Sequence, residues 1–283
     1  MFRYLTHLFY YGIIQSNTME KGVNRLHNDT DTQSDSRYIL SSVDSALSIL
    51  NLFLDEEELS ANEIAKRIGV SRSTAFRFMV TLENRGFVTK TAYGRYRLGL
   101  NMFSLGMIAY NRMELVSLVH PYLTEMAESS GETCHASILD DGVHVMFIDR
   151  VLGSSFLKMD TAIGFRLHAH CTATGKAILA FQSEQAVGQY LRKANFEPIT
   201  PQSIHDAQDL LRVLDDIRRD GYACDNEEAE PGLTCYAMPL LDSAGHAYAA
   251  ISISGPTTRM EANRERHLQR LNEAVVKISR TIS

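Results

Sequence analysis

The sequence predicts an α+β protein with an N-terminal winged helix-turn-helix, a linker helix, and a C-terminal domain on a largely antiparallel sheet. Three observations carry this. Between 38 and 100, helical periodicity gives way to two short capped segments split by Gly69 and then a β-rich hairpin. Residues 98–111 are apolar on more than one face. Beyond Gly131, short strands and helices alternate without a repeated βαβ rhythm.

Composition bounds the remaining classes. The chain has 283 residues, 45% hydrophobic and 22% charged, with net charge -6. That excludes a disordered chain, and 17 Gly with 6 Pro exclude a collagen-like one. Four cysteines exclude a disulfide scaffold, and no run reaches the ~18 apolar residues of a membrane helix. Residues 1–37 read as a disordered extension around the polar tract Asn28–Ser36. Their apolar run, Leu8–Ile14, is short and no small-x-small cleavage site follows it; Met19 is an alternative start. No function is assigned to this segment.

The elements follow in order. Val43, Ala46, Leu47, Leu50 and Phe53 repeat at helical spacing, so 42–54 is an amphipathic helix. Ser60 with Glu63 three residues on is a capping box; it opens a helix that Gly69 closes. Ser71 caps a third helix running to Asn84. Phe87 to Leu98 forms a hairpin around Tyr93-Gly94. Residues 69–100 place Arg72, Arg77, Arg85, Lys90, Arg95 and Arg97 against one acid, Glu83. That local excess suits a phosphate-facing surface. Ser71, Ser73 and Thr74 set hydroxyls at a helix N-terminus, where free amides favour phosphate. Arg72 and Arg77 have the reach for phosphate or a guanine edge, Phe76 for a thymine methyl or the core, and Lys90 and Arg95 for the backbone from the hairpin. The expected partner is double-stranded DNA; a module using the same winged helix for protein contacts is the alternative.

In the C-terminal part, residues 115–129 are read as a helix containing Pro121. Strands are expected at 135–139, 144–149, 156–160, 166–168, 221–224, 234–239 and 248–254, with helices at 174–181, 203–220 and 263–282. Asp140-Asp141-Gly142 marks a hairpin. Ser252 and Ser254 share a strand face, opposite Ile251 and Ile253, so they face water or a cavity. Thr172-Ala173-Thr174-Gly175 precedes a helix whose amides can hold a carboxylate. Lys176 is not a phosphate-loop lysine, because the first glycine and its spacing are missing. Cys134-His135, His168-x-His170-Cys171, Cys224 and Cys235 lack CxxC or HxxxH spacing, so no metal, cofactor or catalytic residue is assigned.

Four phrases in order, Ser71–Phe78, Gly221–Glu228, Pro231–Ala237 and Ile251–Pro256, resemble the IclR family of bacterial transcription regulators over residues 38–283. The resemblance implies a DNA-binding domain at 38–100, a linker helix at 101–114 and a GAF-like effector-binding domain at 115–283. It implies a cytoplasmic, non-enzymatic regulator, expected to repress, that acts as a homodimer or dimer of dimers on a DNA operator. Its effector would be a small carboxylate. Carried over position by position, the effector contacts are Ala173 and Thr174, Asp225, Cys235, Ser252 and Ser254, with Phe156 and Met159 on an apolar lid strand. Ala173-Thr174 replaces a smaller Gly-Ala, which alters pocket size. The alternative is a ligand- or zinc-sensing module that works through protein contacts.

Overall fold

The computed structural model describes residues 38–282, so the expected extension at 1–37 lies outside the described residues. The chain divides into two compact units at Met113/Glu114.

The first unit begins with α1 (Ser41–Asn51), a 3-10 turn (Leu52–Leu54), α2 (Ala61–Ile68) and α3 (Arg72–Asn84). A hairpin of β1 (Val88–Lys90) and β2 (Tyr96–Leu98) follows, then α4 (Leu100–Asn111). The capping box forms as the sequence predicts: Ser60 Oγ accepts from the Glu63 amide at 3.3 Å, and the Glu63 carboxylate from the Ser60 amide at 2.7 Å. Gly69 ends α2 at φ +70°, a left-handed conformation that a side chain would strain. Ile49, Phe53, Leu59, Ile64, Ala75, Met79, Leu82, Val88 and Tyr96 form the core. Leu59 pairs with Tyr96, which ties the wing to the loop before α2. No residue of α4 is buried, although the helix is apolar.

The second unit runs α5 (Glu114–Ser130), β3 (Thr133–Asp140), β4 (His144–Val151), β5 (Arg166–His168), α6 (Ala173–Ala180), α7 (Glu184–Lys193) and α8 (Ala207–Asp220). It continues with β6 (Ala223–Asn226), β7 (Leu233–Leu241), β8 (Ala247–Pro256), α9 (Thr257–Ala262) and α10 (Arg264–Ile282). The six strands make one sheet, ordered β5-β4-β3-β8-β7-β6, with every neighbouring pair antiparallel. Side-chain alternation sorts β8. Ile251 and Ile253 lie on the face that packs α5 and α10, while Ala250, Ser252 and Ser254 lie on the face that packs α6. Val145, Ala177, Leu179, Leu210, Leu214 and Ala237 fill the core on the α6 side. Pro121 sits inside α5 without ending it.

Three expectations change. Residues 156–160 are not a strand but a loop, held from outside. Arg259 donates to the Leu157 carbonyl (2.7 Å), Thr133 Oγ1 to the Met159 carbonyl (2.8 Å), and Arg150 pairs with Asp160. Side chains, not a neighbouring strand, take its backbone carbonyls. The sixth strand lies at 223–226 rather than 221–224, because Gly221 is the left-handed cap of α8 (φ +79°). Helices α7 and α9 were not anticipated, although Ser183 caps the first of them from 3.2 Å.

Candidate functional site

Two sites are built from different materials, and each is described within its own unit. The first is the exposed face of α3. Ser71 Oγ accepts from the Thr74 amide (3.1 Å) and also bonds the hydroxyls of Ser73 (2.9 Å) and Thr74 (2.8 Å). The helix start is therefore a knot of hydroxyls with its amides outward. Ala75, Met79 and Leu82 take the core side. That geometry leaves Arg72, Ser73, Phe76 and Arg77 exposed, Phe76 at 49%. Among the described residues, Arg72, Arg77, Lys90 and Arg97 form no salt bridge. Lys90 stands 5.8 Å from the Tyr96 ring centroid.

Arg95 departs from expectation. Rather than standing free at the hairpin, it donates to the Glu58 carbonyl (2.8 Å) and pairs with Glu63 (3.1 Å). The acidic stretch before α2 captures it. Hydrogen bonds from Ser60, with help from Arg95, hold the Glu63 carboxyl down at about 2. Arg95 thus fastens the wing to the start of α2.

The second site is a cavity on the α6 face of the sheet. It is lined by Phe147, Met159, Leu167, Thr172, Ala173, Thr174, Asp225, Ala229, Leu233, Cys235 and Ser254. It holds about 20 Å³ of room, enough for one water. Six of the eight expected residues line it. Ser252 does not, although it is fully buried one pair along β8 from Ser254. Phe156 does not either: its side chain is fully exposed, because anchoring of the 156–160 loop turns Met159 inward and Phe156 out. Phe147, Leu167, Thr172, Ala229 and Leu233 were not assigned to the cavity, although Thr172 opens the recognised helix-start motif and Leu233 lies within the phrase Pro231–Ala237.

The cavity has a dipolar end and an acidic floor. Thr172 caps α6, its Oγ1 accepting from the Gly175 amide at 3.0 Å, so the Ala173 and Thr174 amides stand at the open helix end. Thr174 Oγ1 is buried and makes no hydrogen bond among the described residues. Gly175 permits this packing: a Cβ there would lie 2.2 Å from the Ala169 carbonyl oxygen. Across from it, Glu227 adopts φ +63°, which turns the chain so that the Glu228 amide donates to Asp225 Oδ1 at 2.8 Å. Burial pushes the Asp225 carboxyl up to about 7, against the pull of Lys176. Lys176 is itself fully buried in an ion pair with Glu228, which pins α6 to the β6–β7 turn. Burial raises the Cys235 thiol to about 12, so it is a neutral lining group and not a nucleophile.

The histidines gather elsewhere. His144, His168 and His170 stack in a row, with centroids 4.6 and 5.5 Å apart. Among the described residues, no group of three His, Cys, Asp or Glu side chains is placed to hold a metal ion. No described helix is long and apolar enough to cross a membrane.

A winged helix with an arginine-bearing face, followed by a domain with a small, nearly closed cavity that holds a few polar groups, defines a two-domain DNA-binding regulator. The family model "Bacterial transcriptional regulator IclR C-terminal" matches residues 107–283, and "IclR helix-turn-helix domain" matches 42–92. The chain therefore belongs to the IclR family of bacterial transcriptional regulators. It is 34% identical over 253 residues to the HTH-type transcriptional regulator KdgR of Escherichia coli, covering 89% of this chain and 95% of that one. It is 34% identical over 245 residues to BhcR of Paracoccus denitrificans, covering 86% of each chain. The Thermotoga maritima IclR crystal structure superposes with TM-score 0.64 at 33% identity, covering 85% of this chain and 98% of that one.

Proposed function

We propose that this regulator is a repressor whose hold on a DNA operator is set by a small organic acid bound in the cavity of the second unit, with α4 serving as a contact between copies. One observation carries the acid: a helix end with two open amides and an unbonded Thr174 hydroxyl faces Asp225, a carboxyl that burial raises to about 7 and so keeps about half protonated at neutral pH. Amides and hydroxyl offer donors to a carboxylate, and a protonated Asp225 adds a further donor. Relatives support the reading. The Escherichia coli Transcriptional repressor IclR is 33% identical over 208 residues, covering 73% of this chain. An IclR homologue from Microbacterium hydrocarbonoxydans, sharing the fold at TM-score 0.71, was crystallised with 4-hydroxybenzoate. The apolar α4, none of whose residues is buried, supports assembly through that helix.

The test is fluorescence anisotropy of the full chain on a duplex selected from a random pool, titrated with a panel of small carboxylates. The expected result is that at least one acid shifts operator affinity tenfold or more, and that its binding weakens as pH rises through 7 and Asp225 ionises. Operator affinity that no acid changes would overturn the effector; salt-independent DNA binding would overturn the arginine face.

A further inference from the structure

We infer that Arg259 is a positioning residue for the cavity: clamped by Glu132, it latches the 156–160 loop that carries Met159, and a ligand enters only when that latch lifts. This rests on the reading of the cavity as a site for a small acid, and adds how the acid gets in.

Room is the first reason. The cavity has space for one water, and acetate, among the smallest organic acids, is already larger than that. A wall must therefore move. Most of the wall is held by the fold. Phe147, Leu167, Asp225, Leu233, Cys235 and Ser254 lie on strands of the sheet, and Thr172–Thr174 open α6. Ala229 is tied through its amide to Asp225 Oδ1 at 3.4 Å, in the turn that Lys176 pins through Glu228.

Met159 is different. The chain is tied to other segments at Ser155, whose amide donates to the Gly131 carbonyl (3.2 Å), and at Gly164, whose amide donates to the Phe147 carbonyl (2.7 Å). Between them, residues 156–161 make no backbone–backbone hydrogen bond among the described residues. Apolar burial adds little, because Phe156 and Leu157 are exposed. Three side chains from other elements hold the stretch instead. Arg259 takes the Leu157 carbonyl, Thr133 the Met159 carbonyl, and Arg150 the Thr161 carbonyl at 2.9 Å. A segment held by so few contacts opens before the sheet does.

Arg259 is the latch because it is itself fixed. Its Nε and Nη2 donate to the two carboxylate oxygens of buried Glu132 at 2.6 and 2.7 Å, a fork on a carboxylate. Nη2 carries a second hydrogen, and that one reaches Leu157. Glu132 thus aims Arg259 at the loop. A lysine can pair with Glu132 but lacks the fork that sets this direction.

The experiment uses the chain's own thiols. Cys235 lines the cavity, while Cys134 is buried on the opposite face of the sheet, in register with Ile253. The full chain is alkylated with iodoacetamide, and each cysteine is followed by peptide mass spectrometry. Arg259→Lys keeps a counter-charge for Glu132. Thr133→Val is isosteric, and the lost hydroxyl contacts only Met159 and Gly153 among the described residues. Each variant is expected to label Cys235 at least tenfold faster than wild type, with Cys134 within twofold. An unchanged Cys235 rate in both variants overturns the latch. So does a parallel rise at Cys134, which would mean that these side chains only stabilise the sheet. This contrast needs no ligand, so the latch and the acid reading fail separately. With lactate and 4-hydroxybenzoate as probes, whichever binds should slow Cys235 labelling of the wild type tenfold; binding without that protection overturns the acid reading of the cavity and leaves the latch standing.

Discussion

The arginine face of α3 and the cavity beside α6 are opposite kinds of site. The first is exposed, preformed and made from one short stretch of chain; Arg72 and Arg77 stand in water without ion-pair partners among the described residues. The second is buried and nearly closed, drawn from β4, β5, β6–β8, the start of α6 and the 156–160 loop. An exposed cationic face costs nothing to keep charged in solvent, and its energy appears only when phosphates arrive. A buried polar site must satisfy itself in the empty state. Here it does so in part, with an ion pair and a half-protonated acid, and leaves the Thr174 hydroxyl without a partner among the described residues. Substitutions should therefore damage binding at the first site and stability at the second.

The largest expected effect tests that contrast. Lys176→Met strips Glu228 of its buried counter-charge and should cost about 3–5 kcal/mol in the second unit, read by chemical denaturation. A loss under 1 kcal/mol would mean that the pair is solvated. Next, Asp225→Asn should alter the pH profile of stability. The carboxyl is raised from its ordinary 3.8 to about 7, so the folded chain keeps a proton the unfolded chain releases. Wild-type stability should fall as pH rises from about 4 to 7 and level off above, and the variant should lack that decline. Arg77→Ala should cost about 1–3 kcal/mol in operator affinity and lower the salt slope by about one, with the melting of either unit unchanged. The smallest effect separates Arg95 of the wing from the arginine face of α3. Arg95→Gln should lower the stability of the first unit by about 0.5 kcal/mol through lost surface pairing, and leave the salt slope as it was. A slope reduced as much as in Arg77→Ala would return Arg95 to the DNA-facing set.

Legibility follows the same division. Ser60 with Glu63, Gly69 and Ser71 act within four residues of the groups they satisfy, so the whole helix-turn-helix could be read in the chain. The six cavity residues found in advance came from family resemblance and from the serine alternation in β8. Phe156 failed because a stretch that alternates like a strand was captured by Arg259, Thr133 and Arg150 from other elements. Arg95 failed for a related reason: the acids that claim it are 32 and 37 residues away in the chain. Ser183 and the spacing of Val187 and Tyr190 were a signal for α7 that could have been used.

The amino-acid order alone determined the capped helices of the helix-turn-helix, the positive face of α3, the largely antiparallel character of the sheet and the apolar nature of α4. Those depend on dihedral preference and periodicity, which act over a few residues. Tertiary structure decided which charges stay free, how far Asp225 is lifted toward neutrality, and that Lys176 is buried against Glu228. Each of those depends on burial and on partners supplied by distant segments, and no local pattern encodes them.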